Sequence, residues 1–102
     1  MGYRVLNEGE LEGAPFRVQG GRYLLLLQGF SSGINQNVDL QIRAPGAGIW
    51  TTALDDNHWL KDNVNLVWMS GGFEYRIVAT NTDGFVELGN LHREHYERTI
   101  DR

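Results

Sequence analysis

The chain has 102 residues, a net charge of −4, 13 glycines and no cysteine. That length fits one small domain, and the missing cysteine excludes disulfides, thiol catalysis and Cys-ligated metal centres. An isoelectric point near 5.2 with a single lysine, Lys61, argues against direct nucleic-acid binding. The chain has no uninterrupted apolar run of about 18 residues, and its start carries glutamates where a signal peptide needs basic and apolar residues, so no membrane partner or secretory address is expected.

Glycine enrichment, scarce lysine and alanine, and recurring Val, Ile, Thr, Tyr, Phe and Trp give a composition of strands and turns. Residues 1–15 are acidic and punctuated by glycine, and predict an extended N-terminal arm. Gly20-Gly21 then introduces Arg22-Tyr23-Leu24-Leu25-Leu26-Leu27-Gln28-Gly29-Phe30, a continuous apolar run that reads as a central strand buried on both faces. Asn37-Val38-Asp39-Leu40-Gln41-Ile42-Arg43 alternates, so Val38, Leu40 and Ile42 are expected inside and Asp39, Gln41 and Arg43 in solvent.

Ala44-Pro45-Gly46-Ala47-Gly48 is a turn by composition, which makes residues 37–54 a hairpin ending in Ile49-Trp50-Thr51-Thr52-Ala53-Leu54. A polar loop follows, with Trp59 and Leu60 as its partly buried members. Val64-Asn65-Leu66-Val67-Trp68-Met69 reads as a strand with Val64, Leu66 and Trp68 inward. Phe73, Tyr75, Ile77 and Ala79 share one face of the next strand, and Asp83-Gly84 predicts a hairpin into Phe85-Val86-Glu87-Leu88. The expected core is Tyr23, Leu25, Leu27, Val38, Leu40, Ile42, Leu66, Trp68, Tyr75 and Ile77.

Six to seven strands without a helical crossover predict an all-β fold, a small antiparallel β-sandwich of jelly-roll type, with a small open barrel as the alternative. The division is an arm over 1–15, a sandwich over 16–90, and a short C-terminal helix or tail over 91–102.

The chemistry-bearing residues do not complete a catalytic motif. His92 and His95 stand three apart without a third ligand, and His58 has no evident partner. Asp55, Asp56, Asn57, Asp62 and Asn63 have a calcium-like inventory but lack the spacing of a calcium loop. No metal, cofactor or enzymatic activity is therefore expected. Trp50 and Trp59, near a turn and in a loop, are candidates for an interface or for stacking a sugar.

Gly-Arg-Tyr before the leucine run, Asn-Val-Asp-Leu-Gln-Ile, the later Ile-Trp and Gly-Gly-Phe-Glu-Tyr-Arg-Ile-Val-Ala-Thr together span residues 20–90. This pattern resembles the small β-sandwich virion proteins of tailed bacteriophages, the capsid decoration or cement and head-fibre group. The matching positions are Gly21, Tyr23, Val38, Leu40, Trp50, Gly72, Tyr75 and Arg76. The resemblance implies a non-enzymatic structural protein, assembled in the host cytoplasm and held on the capsid surface. Its partners would be the major capsid protein or another virion protein, together with further copies of itself. The expected contacts are Tyr3, Val5, Leu6, Leu91, Tyr96 and Ile100 on the two arms, with Trp50 and Trp59. A carbohydrate-binding module, with a glycan as ligand, is the alternative.

Overall fold

A computed structural model describes residues 3–30, 37–46, 48–54, 59–60 and 63–89, leaving out the side chains of Tyr3 and Asn63. Seven strands are present: β1 (Tyr3–Leu6), β2 (Gly21–Gln28), β3 (Val38–Arg43), β4 (Thr51–Thr52), β5 (Asn63–Met69), β6 (Glu74–Ala79) and β7 (Phe85–Gly89). They form two antiparallel sheets, ordered β1-β7-β2-β5 and β4-β3-β6. No helix occurs among the described residues, and the expected C-terminal helix or tail lies outside them.

Between β1 and β2 the chain runs along the free edge of β6. Gly13 N–H donates to the Ile77 carbonyl, Ala79 N–H to that of Leu11, and Phe16 and Tyr75 exchange backbone bonds. Residues 11–16 thus act as an eighth, irregular strand. The pairs then nest: β1 with β7, residues 11–16 with β6, β2 with β5, and β3 with β4. A long hairpin folded over itself in this way is the wrapped, two-sheet plan of a jelly roll.

The inner faces supply the core. Tyr23, Leu25 and Leu27 of β2, Val38 and Leu40 of β3, Met69 of β5, Tyr75, Ile77 and Ala79 of β6, and Val86 and Leu88 of β7 are all buried. Ile42 is half-buried against them. The Tyr75 hydroxyl accepts the Ser70 N–H at 2.8 Å, and the Tyr23 hydroxyl donates to the Gln19 carbonyl, so both phenols end in satisfied polar contacts.

Four expectations need correction. Residues 3–6 are not a free arm: they pair with β7, and Val5 and Leu6 are both buried. A register shift between Arg4 and Leu6 lets these consecutive side chains both turn inward, which strict alternation forbids. Asp83-Gly84 does not close a hairpin, because β6 and β7 lie in different sheets. Its glycine allows a close crossing, since a Cβ there would strike the Gln28 carbonyl oxygen and the Phe30 ring. Asp39 is buried on the outer side of β3, where it accepts the Thr52 hydroxyl at 2.7 Å.

The fourth correction concerns β5. Leu66 and Trp68, expected in the core, are 53% and 68% exposed, and Val64 is 55% exposed. The ladder with β2 decides this. It pairs Trp68 with Arg22, Leu66 with Leu24 and Val64 with Leu26, whereas the inward residues of β2 are Tyr23, Leu25 and Leu27. Partners in register share a face, so Val64, Leu66 and Trp68 turn outward and Met69 fills the core.

Candidate functional site

The outer face of the four-stranded sheet is a grid fixed by the ladders on either side of β2. Trp68 and Arg22 form its first row, Leu66, Leu24 and Gly89 the second, Val64, Leu26 and Glu87 the third. Leu24 and Leu26 are half-buried by their neighbours, and the β5 residues stand more open. Gly89 contributes no side chain, so among the described residues β7 offers nothing to cover Leu24 on that flank. Five apolar side chains on two adjacent strands thus make one continuous patch. The β5 members alone expose on the order of 350 Å², within the range of the largest apolar patches on monomers, which are often functional.

Charge borders the patch rather than entering it. Arg22 stands beside Trp68 at one end. Glu87 stands beside Leu26 at the other, with its Oε2 3.4 Å from Arg4 Nε. The Arg4 guanidinium also covers the Phe85 ring, 3.6 Å from its centre, which closes that corner to further apolar contact. β5, for its part, has no charged residue and no proline between Asn63 and Met69, the usual devices that guard an edge strand.

The outer face of the three-stranded sheet is built differently. Arg43 Nε donates to Glu74 at 2.8 Å, Arg76 Nε donates to the Gln41 side chain at 2.7 Å, and Arg76 also reaches Glu12 at 3.2 Å. Arg17 approaches the other oxygen of Glu74 at 3.6 Å. Trp50 rests on this network, its ring centre 4.4 Å from the Arg43 guanidinium and 4.5 Å from that of Arg76. The cations thus find carboxylates and an aromatic face within the chain, and Trp50 is half-buried.

The sequence candidates therefore separate. Val5 and Leu6 are core residues and leave no surface for a partner, while the side chain of Tyr3 and all of Leu91, Tyr96 and Ile100 lie outside the described residues. Trp59 is 47% exposed and precedes Leu60, which is buried and donates its N–H to the Val38 carbonyl at 2.9 Å. Among the described residues no group of three or more His, Cys, Asp or Glu side chains could hold a metal, and Asp55, Asp56, Asn57, His58, Asp62, His92 and His95 lie outside them. A half-open cleft of about 160 Å³ lies between β1 and residues 14–16, with Arg4 and Glu10 in its wall. It is smaller than the roughly 300–1,000 Å³ of ordinary ligand pockets.

The residues missed from the sequence are Leu24, Leu26, Val64, Leu66 and Trp68, all assigned to a buried strand. A signal was present: both faces of the leucine run are apolar, and so are most positions of β5. No protein-family model, curated protein or solved structure matches the chain.

Proposed function

We propose that this chain is a non-enzymatic structural protein that docks on protein surfaces in a repeated assembly, as a capsid decoration or cement protein of a tailed phage does on the virion surface. The observation that carries this reading is the open apolar grid on β2 and β5, bordered by charge. Apolar area removed from water supplies the affinity of such a contact, and a charged border supplies its orientation. A small domain also gains stability when a larger partner covers such a surface. The jelly-roll plan is compatible with this role, although capsid proteins, lectins and cupins share it, so the surface rather than the fold carries the argument.

The test is co-sedimentation of the purified protein with gradient-purified particles from its source. Binding that saturates at a fixed number of copies, and that is lost in Leu66→Glu while melting is retained, is the expected result. A protein that never migrates with particles contradicts the reading.

One observation favours the second reading, a carbohydrate-binding module. Trp50 lies among Gln41, Arg43, Glu74 and Arg76, a combination of aromatic ring and planar polar groups that suits a sugar. Glycan-dependent quenching of tryptophan fluorescence, abolished by Trp50→Ala and untouched by Leu66→Glu, would select this reading over the first.

A further inference from the structure

We infer that the outer face of the four-stranded sheet is covered by the same face of a second copy, in a two-fold homodimer. The inference rests on the docking role proposed above in one respect only, that the apolar grid is an interface, and it makes the partner on that face a second copy within the assembly rather than the shell itself. It begins from a conflict between sequence and fold. The alternation of β5 marks Val64, Leu66 and Trp68 as residues to be buried, and the β2–β5 ladder turns them outward. Both hold together if the burial is completed by a partner.

The layout of the face says what kind of partner. Its two ends are opposites: the bulky Trp68 and the cation Arg22 at one, the small Val64 and the carboxylate Glu87 at the other. A surface with that arrangement complements itself. Consider a two-fold axis in the plane of the face, perpendicular to the strands and passing through the row of Leu66, Leu24 and Gly89. It lays each Leu24 and Leu66 on its own counterpart, places Trp68 over Val64 of the other copy, and sets Arg22 over Leu26 of the other copy, within reach of Glu87, the neighbour of that Leu26 in its row. Two-fold interfaces require this self-complementarity.

The charges fit the same operation. Arg22 has no ion-pair partner among the described residues, and Arg4 engages only Oε2 of Glu87, leaving Oε1 for a second cation. Strands of the two copies then lie nearly aligned across the contact, as in the face-to-face packing of sheets. With half-buried Leu24 and Leu26 and the charged border added, the two copies together bury on the order of 1,000 Å², the lower bound for a specific interface.

Sedimentation equilibrium of the full chain from micromolar to sub-millimolar concentration tests this. A monomer–dimer equilibrium that stops at two copies is expected. Trp68→Glu should weaken it by more than about thirtyfold, as loss of a large aromatic anchor does, and Leu66→Gln should weaken it too, with cooperative melting kept in both. Arg22→Glu should weaken it about two- to fivefold, and pairing that change with Glu87→Arg should recover the loss, an outcome that a merely apolar contact does not produce. A chain that stays monomeric throughout, or a dimer indifferent to Trp68→Glu, overturns the inference. So does a monomer that dimerises only once residues 90–102 are removed, because that segment would then be the cover. A monomer whose particle binding is lost in Leu66→Glu would retain the docking role and refute the dimer. A dimer that binds no particles would do the reverse.

Discussion

Each outer face of this sandwich carries a tryptophan, and the two are treated in opposite ways. Trp50 lies against two guanidiniums that are themselves held by Glu74, Gln41 and Glu12. Trp68 stands 68% exposed in a row with Arg22, at the end of a patch of leucine and valine. One outer face is satisfied within the chain, and the other is not. The difference shows that exposure of an aromatic residue is informative only together with what its neighbours could have done for it. Around Trp50 the strands offer charges of both signs, and around Trp68 they offer mostly further apolar side chains.

That contrast can be tested by substitution. As the reference for a fully buried position, Leu40→Ala should lower stability by about 2–5 kcal/mol, read from the denaturant midpoint, because the cavity forms between the two sheets. Trp50→Ala should remove two cation–π contacts and about 1–2 kcal/mol; a smaller loss would mean that the polar face is not tied together by its aromatic ring. Glu74→Gln should cost about 0.5–1 kcal/mol at low salt and less at high salt, since it weakens pairs with Arg43 and Arg17 that water partly reaches. Trp68→Ser, measured at dilution, should change stability by no more than about 0.5 kcal/mol while reducing self-association. If Trp68→Ser destabilises the dilute protein as much as Trp50→Ala does, the two faces are not different in kind.

Much of this fold could be read from the sequence, for local reasons. β3 and β6 alternate cleanly and pair with each other in register from Val38–Ala79 to Arg43–Glu74, so inner and outer residues follow from spacing alone. β2 was recognisable from its glycine boundaries and leucine run, but the run suggested cover on both faces where the described chain covers one. β1 was not recognisable. Its apolar residues sit beside an acidic stretch, and the bulge that buries both Val5 and Leu6 exists only because β7 lies alongside. The face of β5 was misassigned for a related reason: strand alternation defines two faces, and only the pairing with β2 selects which one meets the core. Of the proposed contacts, Trp50 was picked out by its position near a turn. Its arginine partners come from two strands more than 30 residues apart in sequence, a juxtaposition that no spacing rule reveals.

The nested pairing also sets an order of events during synthesis. β1 has one strand partner, β7, and residues 11–16 have one, β6, so the first 16 residues find their places only after residues 74–89 have emerged. At roughly 5–20 residues per second the ribosome keeps them waiting for several seconds, with the leucine run of β2 made and its second neighbour still missing. Folding is therefore a late, concerted closure dominated by distant contacts, which are slow to form. Throughout that interval the nascent chain presents an unfinished, leucine-rich edge, the kind of surface on which association with other chains competes with folding.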